Sequence, residues 1–141
     1  MSRPKSEQPT PAELEILKVL WDHGPATVRG VMHQLPHDPP KAYTTVMSLL
    51  NVMHAKELVE RAPRGRAFLY SPAQKREKTL KSLVGDIVDR AFAGSASALV
   101  AHLLQEAKPT KQEMQEIRKL IAEHKELNRR GAEDQSVRSR R

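Results

Sequence analysis

Residues 41–70, KAYTTVMSLLNVMHAKELVERAPRGRAFLY, restrict the fold more than any other stretch of the chain. Val46, Leu49, Leu50 and Met53 stand at i, i+3, i+4 and i+7, which places an apolar stripe along one face of an α-helix. The opposite face carries Lys41, Thr44, Ser48 and Asn51, whose small polar groups are able to approach a base edge or a phosphate closely. A short alternating run from Leu58 to Arg61 follows. Pro63, Arg64, Gly65 and Arg66 then read as a turn, and Ala67 to Tyr70 as a second strand.

A helix followed by an arginine-tipped hairpin is the order of elements in a winged helix-turn-helix, with Arg61, Arg64 and Arg66 where a wing meets the phosphate backbone. The preceding segments supply the rest of such a core. Thr10, Pro11 and Glu13 make a capping box with proline in the first helical position, opening a helix that carries Leu14, Leu17 and Trp21 flanked by Ile16, Val19 and Leu20. Gly24 and Pro25 end it. A second helix, capped by Thr27, buries Val28, Val31, Met32 and Leu35 and stops at Pro36. Three single apolar faces closing on one another make a compact core, and Phe68 and Tyr70 are expected to pin the hairpin to it.

Beyond Pro72 the pattern becomes purely helical. Leu80, Leu83, Val84, Ile87, Val88 and Phe92 form one stripe, and after Gly94 a shorter one holds Leu99, Val100, Leu103 and Leu104. Thr110 and Glu113 suggest a second capping box, opening a helix whose inner face is Met114, Ile117, Leu120, Ile121 and His124. These stripes lie outside the winged-helix core. They are hidden most easily if two copies interlock, because closed two-fold dimers are the commonest soluble assembly. The expected organisation is mostly α: a flexible lead (1–9), a winged-helix DNA-binding domain with a two- to three-stranded wing (10–72), a helical dimerisation domain (73–127) and a disordered basic tail (128–141).

Lysine and arginine outnumber acidic residues 24 to 17 in 141, a net charge of +7, which favours a polyanionic partner without proving one. Cysteine is absent, which removes disulfides, thiolate metal sites and cysteine nucleophiles together. His33 and His37 are four apart, but Pro36 breaks the helix that would align them as metal ligands. No phosphate-binding glycine loop, nucleophile motif or carboxylate pair stands out, so no catalytic residue, metal or cofactor is expected. No stretch approaches the ~20 apolar residues of a membrane span, and a cytoplasmic location without membrane insertion is the simple reading. Tyr43 either stacks near a backbone or flanks the core. Lys56 either meets phosphate or caps its helix end through the dipole.

The whole order of elements resembles the penicillinase-repressor (BlaI/MecI/CopY) family. The resemblance is carried by Leu14–Trp21 (LEILKVLW), Ala42–Leu50 (AYTTVMSLL), Phe68–Ser71 (FLYS), Gly94–Leu104 (GSASALVAHLL) and Glu113–Leu120 (EMQEIRKL). It covers residues 10 to about 127 and implies a winged-helix DNA reader, a C-terminal dimerisation module and repression from a palindromic operator. In such a repressor the signal comes from a membrane-bound sensor protease. The cleavage junction, typically asparagine-phenylalanine, falls here at His102-Leu103, and Glu57 stands where the family commonly has glycine. The copper-sensing mode of the family needs cysteine pairs, which this chain lacks.

The combined reading is a homodimeric, sequence-specific repressor of double-stranded DNA. Thr44, Ser48 and Asn51 face bases, Lys41, Thr45, Arg61, Arg64 and Arg66 face the backbone, Tyr43 is a further DNA-binding candidate, and Leu80, Leu83, Val84, Ile87, Val88, Phe92, Leu99, Leu103, Ile117, Leu120 and Ile121 form the dimer interface. The rival from another class is a dimeric protein-interaction adaptor whose winged helix no longer reads DNA.

Overall fold

A computed structural model describes residues 8–139, so most of the expected flexible lead and the last two residues of the expected tail lie outside the described residues. The elements are α1 (Pro11–His23), α2 (Val28–Gln34), α3 (Tyr43–Ala55), β1 (Val59–Arg64), β2 (Ala67–Pro72), α4 (Arg76–Ala91), α5 (Ala96–Glu106) and α6 (Lys111–Ser139). Two compact units result, one reaching Ala91 and the other beginning at Phe92.

The first unit holds the core. The capping box of α1 forms in both directions, with the Thr10 amide donating to Glu13 Oε1 at 2.9 Å and the Glu13 amide to Thr10 Oγ1 at 3.3 Å. Gly24, at φ +89°, ends that helix with its N–H on the Leu20 carbonyl at 2.9 Å. Thr27 caps α2 by accepting from the Gly30 amide at 3.2 Å. With their ends set, the three helices bury Ile16, Leu17 and Leu20 from α1, Val31 from α2, and Val46, Leu50 and Met53 from α3. Each large side chain so buried stabilises the fold by roughly 1.5–3 kcal/mol. Lys41, expected on the polar face of this helix, lies outside α3, which begins at Tyr43.

The wing is a two-stranded antiparallel sheet with register from Val59 opposite Pro72 to Arg64 opposite Ala67. Pro63 is a strand residue opposite Phe68, and the turn contracts to Gly65 and Arg66. Proline fits there because a two-stranded ribbon leaves one side of each strand without a ladder partner. Gly65 takes φ +60°, the conformation that the first central position of a II′ hairpin requires. Tyr70 is buried, and its backbone exchanges hydrogen bonds with Ala26 at 2.8 and 2.9 Å, a single bridge that stands in for a third strand. The expectation that Phe68 also enters the core is corrected: it is 41% exposed and meets Tyr70 only edge-on at 6.3 Å. Tyr70 from β2 and Val59 from β1 pin the hairpin to the helices, while Phe68 lies nearer its tip.

The same unit takes in α4. Trp21 Nε1 donates to the Gln74 carbonyl at 3.0 Å, Arg76 pairs with Asp22 and lies over the Trp21 ring at 5.6 Å, and Thr79 is buried. In the monomer the structural division therefore falls after α4, nineteen residues later than a boundary at Pro72, a count of 91 minus 72.

In the second unit Gly94 turns the chain at φ +81° and Ser95 caps α5 by accepting from the Ala98 amide at 3.1 Å. Thr110 Oγ1 accepts from the Glu113 amide at 3.1 Å at the start of α6. That helix runs to Ser139, where the sequence suggested a disordered tail from Asn128. Its extension is tied by ion pairs one turn apart, Arg129 with Glu126 at 2.7 Å and with Glu133 at 2.6 Å, and Arg130 with Glu126 at 3.3 Å. Apolar periodicity stops at Leu127, whereas charge pairing carries on at helical spacing. Among the described residues no single helix is long and apolar enough to cross a membrane.

Candidate nucleic-acid interface

Burial of Val46, Leu50 and Met53 against α1 and α2 leaves the opposite face of α3 to solvent, and Thr44, Thr45, Ser48 and Asn51 are all exposed on it. The N-cap of α3 is Ala42, which makes no side-chain cap hydrogen bond, so no capping side chain occupies the first-turn amides. Tyr43 is exposed at the same end, and the Arg29 guanidinium of α2 lies 5.3 Å from its ring centre.

Tyr43, Met47 and Asn51 repeat at i, i+4 and i+8 along the side of α3 that faces the wing. They form one wall of a groove whose other walls are Thr27 to Arg29 and Arg66 to Phe68. Two candidate cations, Arg29 and Arg66, thus share a groove with Tyr43 and Asn51. Arg61 approaches the same place from β1: its Nη1 donates to Asn51 Oδ1 at 3.3 Å and its Cζ sits 4.4 Å above the Phe68 ring. On the far side of α3, Thr44, Thr45, Ser48, Leu49 and Val52 line a second depression. Lys41 lines a third hollow with Arg29, His33 and His37. Arg64 is exposed at the tip of the hairpin and lines none of these hollows.

Lys56 resolves differently from either reading of it. Its Nζ bonds both carboxylate oxygens of Glu13, at 2.8 and 3.1 Å, and Glu13 is 2% exposed. The ammonium of the α3 C-cap is therefore committed to the N-terminal turn of α1, and it ties the end of α3 to that helix. The apolar spacing of α2 gives no signal for Arg29. An arginine near the start of one helix and a tyrosine at the start of the next were the available signal.

The residues expected at a dimer interface fall on both units. On α4, Leu80, Val84 and Ile87 are exposed and Leu83 and Val88 half-buried. In the second unit Leu103, Leu120 and Ile121 are exposed, Leu120 at 64%, and Phe92, Leu99 and Ile117 half-buried. The His102-Leu103 bond lies within α5, with the His102 ring edge-on to Phe92 at 5.8 Å.

Residues 9–123 match the family model described as penicillinase repressor. The chain is 24% identical over 121 residues to the penicillinase repressor of Bacillus licheniformis, covering 86% of this chain and 94% of that protein. It is 33% identical over 95 residues to the transcriptional regulator BlaI of Mycobacterium tuberculosis, covering 66% and 69%. Among solved structures, the DNA binding domain of the repressor BlaI is similar at 27% identity and a TM-score of 0.46, over 52% of this chain and 90% of that one.

Proposed function

The chain belongs to the penicillinase repressor family, and from that premise we propose that this DNA-binding transcriptional repressor works as a homodimer on a palindromic operator. The observation that carries the reading is the polar face of α3, with Thr44, Ser48 and Asn51 turned away from the core beside a groove bordered by Arg29 and Arg66. A helix of that kind enters a major groove with its short polar side chains on base edges. Lys41, Tyr43, Thr45, Arg64 and Arg66 flank it and meet phosphates, aided by the first-turn amides of α3.

The division of labour we propose assigns residues 10–72 to DNA and 73–127 to pairing. Exposed apolar side chains on α4, α5 and α6 support it, since each exposed leucine or isoleucine gains roughly 1.5–3 kcal/mol on full burial. Two-fold symmetry then sets half-sites on one side of the duplex, about 34–36 Å apart or a multiple of that distance. Relief of repression follows from cutting at His102-Leu103 by a sensor protease. Because that bond is in a helix, α5 must open locally before an extended chain can enter a protease cleft.

Binding measured against salt tests the reading. A sequence-reading repressor loses affinity steeply with salt yet keeps its preference for one duplex, whereas a dimeric adaptor shows only weak, sequence-blind attraction.

A further inference from the structure

We propose that Arg61 acts on Asn51 and not on phosphate: the wing fixes the orientation of a base-reading amide and thereby sets which base edge it accepts. The inference rests on α3 being the base-reading helix and goes beyond it by assigning a positioning residue and the chemistry it selects.

The Arg61 guanidinium is held in two ways at once. One face stacks on Phe68, 4.4 Å from the ring centre, and one in-plane N–H donates to Asn51 Oδ1 at 3.3 Å. Phe68 in turn stands edge-on to Tyr70, which is buried and bridged to Ala26 through both backbone hydrogen bonds. A continuous line of contacts therefore runs from the core, through the hairpin, to a side chain on the solvent face of α3.

The chemistry of the contact decides the direction of the amide. A guanidinium offers only donors, so only the oxygen end of Asn51 is able to face it. An unanchored exposed asparagine rotates freely and presents its carbonyl and its amino group interchangeably. With Oδ1 held by Arg61, Nδ2 points away from the wing and offers two donors outward. The base edge it suits is one rich in acceptors in the major groove, a purine N7 above all, and the edge it rejects is the cytosine amino group. Adenine remains well served, because the second lone pair of Oδ1 is still open to its N6 amino group.

The test starts from duplexes selected by the full-length chain out of a random-sequence pool. Binding to the selected duplex and to its single-base variants is then measured across a range of salt. For Arg61→Ala the expected result is a loss of about tenfold in preference at one base pair of each half-site, the same pair that Asn51→Ala relaxes, with the salt slope unchanged. Arg61→Lys keeps the charge but not the planar stack, and is expected to lose that preference too. Arg64→Ala and Arg66→Ala should instead keep every preference while each lowers the slope by about one. A fall of about one in the slope for Arg61→Ala overturns the inference, as does a preference unchanged by it or restored by Arg61→Lys. If the unsubstituted chain selects no sequence from the pool, the base-reading role of α3 falls as well, an outcome plainly distinct from the others.

Discussion

Leu50 and Asn51 are consecutive residues with opposite surroundings, and their substitution separates folding from the proposed recognition. Leu50 is fully buried between the three helices, so Leu50→Ala is expected to cost about 2–5 kcal/mol, read as a lower denaturation midpoint in urea. Asn51 is exposed, and Asn51→Ala should stay within about 0.5 kcal/mol in the same assay while changing the preferred duplex. Glu13 joins the two concerns. It closes the α1 capping box and holds Lys56 at the end of α3. Glu13→Ala removes both and leaves a partly covered ammonium without its carboxylate, a loss of about 2 kcal/mol in thermal or urea unfolding.

At the scale of elements, the turn from α3 into β1 carries a local cost. Glu57 sits at φ +65°, in the left-handed region where a side chain is disfavoured. Glu57→Gly is expected to stabilise the chain by about 0.5–1 kcal/mol, visible as a rise of a few degrees in Tm. The far end of α6 is governed by charge. Hydrogen bonds from Arg129, and then Arg130, hold the Glu126 carboxyl below its ordinary value at the helix surface. A carboxyl depressed in the folded state contributes stability above its unfolded pKa and loses it as the pH falls through the folded value. Helicity of the α6 extension, followed by circular dichroism, should therefore decline on acidification through the carboxylate range, and also in high salt, with little change near neutral pH.

For the whole molecule, the proposed dimer couples pairing and DNA binding through geometry. Leu120 is one of the most exposed apolar side chains on α6, and Leu120→Arg would place a charge in any interface that covers it. The expected outcome is a chain that sediments as a monomer, unfolds with an unaltered winged-helix transition, and binds a single half-site about as well as before. It should lose most of its affinity for the full operator, because the second half-site is no longer delivered at high effective concentration. An unchanged sedimentation coefficient would show that α6 pairs through another face.

What the sequence determined by itself was the short-range pattern of caps, apolar stripes and turns. The capping box at Thr10 and Glu13, the stripe of Val46, Leu50 and Met53, and the glycine in the hairpin turn are all short-range patterns, and each appears where its spacing puts it. The exposure of Thr44, Ser48 and Asn51 follows from the same periodicity, since burying one side of a helix presents the other. Tertiary structure alone decided the meetings between distant residues. It sent Lys56 to Glu13, Arg61 to Asn51 and Phe68, and Arg29 to Tyr43, and it attached α4 to the winged helix through Trp21 and Arg76. A long flexible cation reaches many partners, and its choice depends on which elements the packed core brings within a few ångströms, information that no periodicity along the chain contains.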